Sequence, residues 1–157
     1  MLDYDGKGNT EKILAVDNAT STDWQTASEI TNNSASTDTH APAQCCWRYS
    51  TLGTSQGDWY LPACGELCYL PPRYADINEA LTKLMSADPT NAVRLWRNDP
   101  AVQDSGYSVY GSWLWSSTED SAGTARSVSV YNGSVYNYSK SYSYTSNRVR
   151  AFAALSV

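Results

Sequence analysis

Tyrosine, serine and asparagine crowd the stretch 125–147, ARSVSVYNGSVYNYSKSYSYTSN. Those residue types suit recognition, because Tyr supplies rigid amphipathic area while Ser and Asn supply adaptable hydrogen bonds. Val128, Val130 and Val135 recur at the even spacing of half-buried strands, and Ser127, Ser129, Tyr131 and Ser134 take the alternate positions. Asn132-Gly133, between the two runs, is a strong hairpin signal. One side of the expected hairpin therefore holds a core, and the other presents a Tyr/Ser/Asn surface with few charges.

Catalytic or metal chemistry finds less support. The one histidine, His40, lies in a polar stretch, and no G-x-S-x-G elbow accompanies it, so a hydrolytic triad is not assembled. Glu66, Glu119 and Asp120 are the carboxylates open to nomination for glycoside chemistry, and each reads better as a solvated acid. No phosphate-cradling glycine loop or dinucleotide fingerprint occurs. Cys45, Cys46, Cys64 and Cys68 cluster near His40 and have the ligand types of a zinc site. Adjacent Cys45-Cys46 and the lack of C-x-x-C argue against one, and small buried side chains at a helix contact explain them better. Asp3–Glu11 superficially resembles a calcium loop but lacks its order of ligands, and an Asp-Gly turn leading into a strand over 12–16 accounts for it. The expectation is no metal, no cofactor and no catalysis.

The chain has 157 residues and a net charge of −5, with twelve Tyr, six Trp and one Phe. That length suits one domain with a core able to fold unaided. No apolar run is long enough to span a bilayer, and the first residues, MLDYDGKGNT, lack the pattern of a signal peptide. After Ser121 come four cations, Arg126, Lys140, Arg148 and Arg150, and no acid. Four cations against a negative chain make a thin footprint for nucleic acid, which is not expected as a partner.

The elements that must position this surface follow in order. The stretch 17–39 reads as a long polar loop around Trp24. A short helix is predicted over 41–50, ended near Gly53, with Pro42 near its start. A second runs from about Ala63 to Leu84, broken or kinked at Pro71-Pro72, with Ile77, Ala80, Leu81 and Leu84 at helical spacing. The stretch 88–108 reads as irregular. Strands are predicted at 113–119, 125–131, 134–139 and 149–155. Trp113, Trp115 and Trp59 read as core or core-edge residues. Helices early and an antiparallel sheet late make the class α+β.

GDWYLPACGEL at 57–67, WLWSSTE at 113–119, ARSVSVYNGSV at 125–135 and NRVRAFAAL at 147–155 occur in that order. Together they resemble the variable proteins of diversity-generating retroelements, of the type found in gut Bacteroidales and their phages. The resemblance spans most of the chain, from about Asp3 to Leu155. It implies a single C-type-lectin-like ligand-binding domain over 1–157, the C-terminal part of a longer chain in some settings, with two helices packed beside a small twisted antiparallel sheet. Such proteins bind a protein or glycan on a target cell from a phage tail or a bacterial surface, without membrane insertion, and homo-oligomers are expected. A reverse transcriptase rewrites adenines in AAY codons, which become any codon ending in a pyrimidine.

The resemblance assigns the variable, ligand-binding face to Tyr107, Tyr110, Asp120, Ser127, Ser129, Tyr131, Asn132, Ser134, Tyr136, Asn137, Ser139, Ser141, Tyr142, Ser143 and Tyr144. All are encodable by pyrimidine-ended codons. Trp113, Trp115, Glu119 and Lys140 are not, and belong to the scaffold. The E-P-N, Q-P-D and W-N-D signatures of calcium-dependent sugar binders are absent. The sulfatase-activating enzymes of related fold need cysteines late in the chain, whereas all four here precede Tyr69. The runner-up is an undiversified surface adhesin or structural domain of the same fold, ahead of a carbohydrate-processing enzyme.

Overall fold

A computed structural model describes residues 3–16, 41–50, 53–87, 113–130, 132–140 and 147–153. The polar loop with Trp24 and His40, the irregular stretch with Tyr107, and Tyr110, Tyr131, Ser141, Tyr142, Ser143 and Tyr144 lie outside them.

The first helix, α1 (Gly6–Val16), replaces the strand expected over 12–16. Its cause is local. The Asp5 carboxylate accepts the Gly8 N–H at 2.9 Å, which makes Asp5 an N-cap rather than part of a turn. Thr10, fully buried, then donates its hydroxyl to the Gly6 carbonyl at 2.8 Å and accepts the Leu61 N–H at 3.0 Å. Helix α2 (Ala41–Arg48) follows, with Pro42 in its first turn, where a missing N–H costs nothing. Strand β1 (Trp59–Tyr60) leads into a single helical turn, α3 (Cys64–Leu67). Glu66 caps that turn by accepting the Ala63 N–H at 2.7 Å. The expected break at Pro71-Pro72 takes the form of a 3-10 turn, Pro71–Arg73, before α4 (Tyr74–Ala87).

Four strands form the main sheet: β2 (Trp113–Ser121), β3 (Thr124–Ser129), β4 (Val135–Ser139) and β5 (Asn147–Arg148), in spatial order β4-β3-β2-β5. The β2–β3 and β3–β4 pairs are antiparallel, and β2–β5 is parallel. Of the last predicted strand, 149–155, only Phe152–Ala153 forms a strand among the described residues, β6, which pairs antiparallel with β1, while β5 lies just before that stretch and joins the main sheet. Between them Val149 and Ala151 pack into the core. The fold is mixed α+β.

Two apolar clusters sandwich the sheet. Leu114, Val128 and Val130 pack with Cys64 and Leu67, backed by Ile77 and Phe152. Trp115 packs instead toward Ala43, Cys46 and Leu61, with Ile13 of α1. Consecutive residues of β2 thus point into different clusters, as strand alternation requires. Because the central strand β3 is covered on both sides, the simple inward-Val, outward-Ser reading needs correction. Ser127 and Ser129 are buried along with Val128. Val135, on the outer strand opposite Val128, is 37% exposed. The hairpin loop is also wider than Asn132-Gly133 alone. Ser129 donates its N–H to Ser134 O, and Gly133 donates to Ser129 O, each at 2.8 Å, so the β3–β4 ladder closes at Ser129 and Ser134. Val130 enters the core from that loop, and Gly133 closes it with φ 75°.

Candidate functional site

The motifs that carry the family resemblance are mostly structural ties. The Cys64 N–H donates to Thr118 Oγ1 at 2.9 Å, and Thr118 donates onward to the Asp3 carboxylate at 3.2 Å. Ser117 N–H reaches the Pro62 carbonyl at 2.9 Å. The stretch 57–67 is therefore bolted to β2 by backbone and hydroxyl bonds. Gly65 is required there, since a Cβ would strike the Asp3 carbonyl and the Tyr4 ring. Trp59 donates its indole N–H to Thr54 at 3.0 Å and meets Tyr49 edge-on.

The nominated carboxylates are engaged separately. Glu66 accepts the Tyr60 hydroxyl at 3.1 Å as well as the Ala63 N–H, Glu119 pairs with Lys140, and Asp120 pairs with Arg126 at 3.3 Å. Burial, reinforced by Glu66, pushes the Tyr60 phenol up to about 12. Burial likewise raises the Cys46 thiol well above its usual range, and raises Cys64 to about 11. A thiol held protonated is a poor nucleophile and a poor metal ligand. All four cysteines are free, and among the described residues no group of three or more His, Cys, Asp or Glu could hold a metal ion. Cys46 and Cys64 sit in the two apolar clusters, as small buried side chains do.

One side of the main sheet gathers aromatic rings. The register sets Trp113 opposite Ser129, Trp115 opposite Ser127, and Tyr136 opposite Ser127 from the other side. Small residues along β3 leave room for the large side chains of β2 and β4 to close over them. Trp113 meets Tyr136 edge-to-face with ring centroids 5.3 Å apart, and Tyr138 stands 6.1 Å from both Trp113 and Trp115. Such contacts each contribute about 0.5–1.5 kcal/mol beyond simple burial. Trp113 is buried, whereas Tyr136 is 58% exposed. The cluster thus grades from core to solvent across the sheet. Burial first, and Tyr136 second, raise the Tyr138 phenol, which stays neutral.

A polar floor lies beneath those rings. Asn147 pairs with Trp113 in the parallel register and donates its amide to Ser127 Oγ at 3.0 Å, reaching across β2. Its own Oδ1 is buried without a hydrogen-bond partner. The arrangement offers flat aromatic area, a phenol and an amide acceptor. Those are means of recognition.

The assigned face is only partly assembled. Ser127, Ser129 and Tyr136 share the aromatic side, the two serines as buried floor rather than surface. Asn137 lies opposite Arg126 and alternates away from Tyr136, so it and Ser139 project to the other side. Asp120 joins them there through Arg126. Exposed Asn132 and half-buried Ser134 occupy the hairpin loop at the end of the sheet. Contributors outside the assignment are Tyr138, Trp113, Trp115 and Asn147. The i, i+2 spacing of Trp113/Trp115 and Tyr136/Tyr138 carries a signal for cross-strand aromatic pairs, which single-strand reading overlooks. Nothing in the local sequence around Asn147 marks its reach to Ser127. Comparison of the chain with protein-family models, curated proteins and solved structures gives no match.

Proposed function

We propose that this chain is a ligand-binding protein of the diversity-generating retroelement type, built on a C-type-lectin-like scaffold. Its binding face centres on Tyr136 and the neighbouring hairpin loop with Asn132 and Ser134. The observation that carries the reading is the gradient of exposure across the aromatic cluster. Tyr136 presents most of its ring to solvent while its inner edge rests on buried Trp113. A side chain so placed can contact a partner, and can be exchanged without opening the core. The scaffold beneath it is held by Thr118 and the Pro62–Ser117 bond, neither of which a pyrimidine-ended codon change at Tyr136 would touch. Recognition is passive: the face selects a protein or glycan of a target cell by shape and hydrogen bonds, without cofactor or turnover. Display on a phage tail or cell surface in several copies would raise weak single-site affinity.

The burial of Ser127 and Ser129 favours a second reading, an undiversified adhesin or structural domain of the same fold. Residues fixed under rings, Ser127 also tied to Asn147, cannot vary freely. The DNA flanking the gene separates the two. The first reading expects a reverse-transcriptase gene and a near-copy of the segment encoding 107–144 that differs only at adenines. Intact flanking sequence with neither feature would overturn it in favour of the second.

A further inference from the structure

Cys64 opens the single turn of α3 and Cys68 caps it, with the Cys68 N–H donating to the Cys64 carbonyl at 3.1 Å. Side chains at that spacing share one face of a helix. Cys64 is fully buried among Leu67, Leu114 and Val128, while Cys68 packs against the same cluster and is half-buried. Their thiols are hydrogen-bond partners. Cys45 and Cys46 differ, being adjacent on α2, where neighbouring side chains do not face each other.

A cation stands beside the first pair. Arg126 alternates with Val128 along β3, on the side that packs against α3. Its guanidinium acts on the Cys64 thiol both as a charge and as a hydrogen-bond donor. One terminal nitrogen also holds Asp120, and Nε is buried without a hydrogen-bond partner. Burial pushes the Cys64 thiol up to about 11, Cys68 adds to the rise, and Arg126 opposes it. Once the Cys68 sulfur is bonded to another sulfur it carries no charge. Capture of Cys68 thus removes its repulsion and leaves Arg126 to favour the Cys64 thiolate.

We propose that Cys64 and Cys68 form a modification site for exchange with a small-molecule disulfide, Cys68 being captured first and Cys64 closing an internal bond. The Cys68 thiolate attacks one sulfur of the small disulfide, forming a mixed disulfide and releasing one small thiolate. Cys64 then loses its proton and attacks the Cys68 sulfur, expelling the second small thiolate. The two small thiolates take up the protons that the cysteines gave to water. The chain is oxidised by two electrons and the small disulfide is reduced by two.

The bond is a reversible latch. A disulfide needs its Cβ atoms about 3.5–4.5 Å apart, whereas helical neighbours at this spacing stand about 5–6 Å apart. Closure therefore pulls the turn out of helical form, and the enclosed loop is too short for much gain in chain entropy. Strained disulfides of that kind are readily reduced again.

The test incubates the full folded chain with oxidised glutathione at about pH 8, quenches with acid, and maps the cysteines by mass spectrometry. The native chain is expected to lose two hydrogens, with Cys64 and Cys68 joined. Cys64→Ser is expected to stop at a glutathione adduct on Cys68, and Cys68→Ser to leave buried Cys64 unmodified. Arg126→Gln is expected to slow closure from the adduct by about threefold or more, since a higher pKa costs more thiolate than it returns in nucleophilicity. A native chain that stays reduced, or joins Cys64 to Cys68 only in denaturant, overturns the proposal. So does a folded Cys64→Ser chain with no adduct on Cys68. Closure as fast in Arg126→Gln as in the native chain overturns the part given to Arg126.

Discussion

Asn147 and Ser127 are twenty positions apart and on strands separated by β2, yet the amide of one donates to the hydroxyl of the other at 3.0 Å. That bond joins the parallel edge strand to the middle of the sheet beneath Trp113 and Trp115. It also leaves Asn147 Oδ1 buried and unpartnered, so the pair is finely balanced.

Removing the hydroxyl upsets that balance. Ser127→Ala leaves a second amide atom of Asn147 without a partner and is expected to lower unfolding stability by about 1–3 kcal/mol. Asn147→Ala alone is expected to cost less, because Ser127 can turn its hydroxyl elsewhere. In the double variant the two losses should fall short of additive by at least about 0.5 kcal/mol. Urea midpoints for the four proteins measure this, and strictly additive losses would disprove the coupling.

Acid should loosen the N-terminal tie. Burial works to raise the Asp3 pKa, but hydrogen bonds from the Asp5 N–H, the Asn9 amide and the Thr118 hydroxyl outweigh it, and the net shift is downward. A carboxylate whose pKa is depressed on folding stabilises the fold above its unfolded pKa of about 3.9, and that stability is lost as pH falls through the folded value. The native chain should therefore lose stability more steeply than Asp3→Asn as pH is lowered from about 5 toward 2. Parallel curves for the two proteins would contradict this.

Thiol chemistry gives a separate check on the core. Cys46 and Cys64 are buried and their thiols are held protonated, chiefly by that burial. Alkylation at pH 7.5 should label neither in the folded chain, and both on addition of denaturant, with rates at least about 100-fold apart. Peptide mass spectrometry resolves the positions. Rapid labelling of Cys64 in the folded protein would show that the cluster with Leu67 and Val128 is open.

How much of this was legible in the sequence depended on whether the signal was local. Helix α2, the break at Pro71-Pro72 and strands β2, β3 and β4 follow from periodicity and proline, and the α+β class follows from their order. Helix α1 was missed because Asp5 reads equally as a turn or an N-cap, and the choice rests on Thr10 meeting Leu61, 51 positions away. Alternation along β3 gave the parity of Ser127, Ser129 and Val128 correctly, but the exposure of the serines was not local information. It depended on aromatic side chains from β2 and β4 closing over them. The same distant packing hid Tyr138 and Asn147, while Asn137 and Ser139 were placed with Tyr136 although strand alternation already sets them apart.

Whether Tyr136 is an exchangeable, displayed residue above a fixed floor is read directly by a replacement series. Tyr136 and Asn132 are each changed to the residues that pyrimidine-ended codons allow, Ser127 and Ser129 are changed to the same set, and thermal unfolding is followed for every variant. Most Tyr136 and Asn132 variants are expected to stay within about 1 kcal/mol of the native chain. Ser127 and Ser129 replacements larger than Ala should lose about 1–3 kcal/mol or more through overpacking beneath the rings. Tyr136 variants that unfold as readily as those at Ser127 would contradict the account, because the ring would then be part of the core rather than a face offered to a partner.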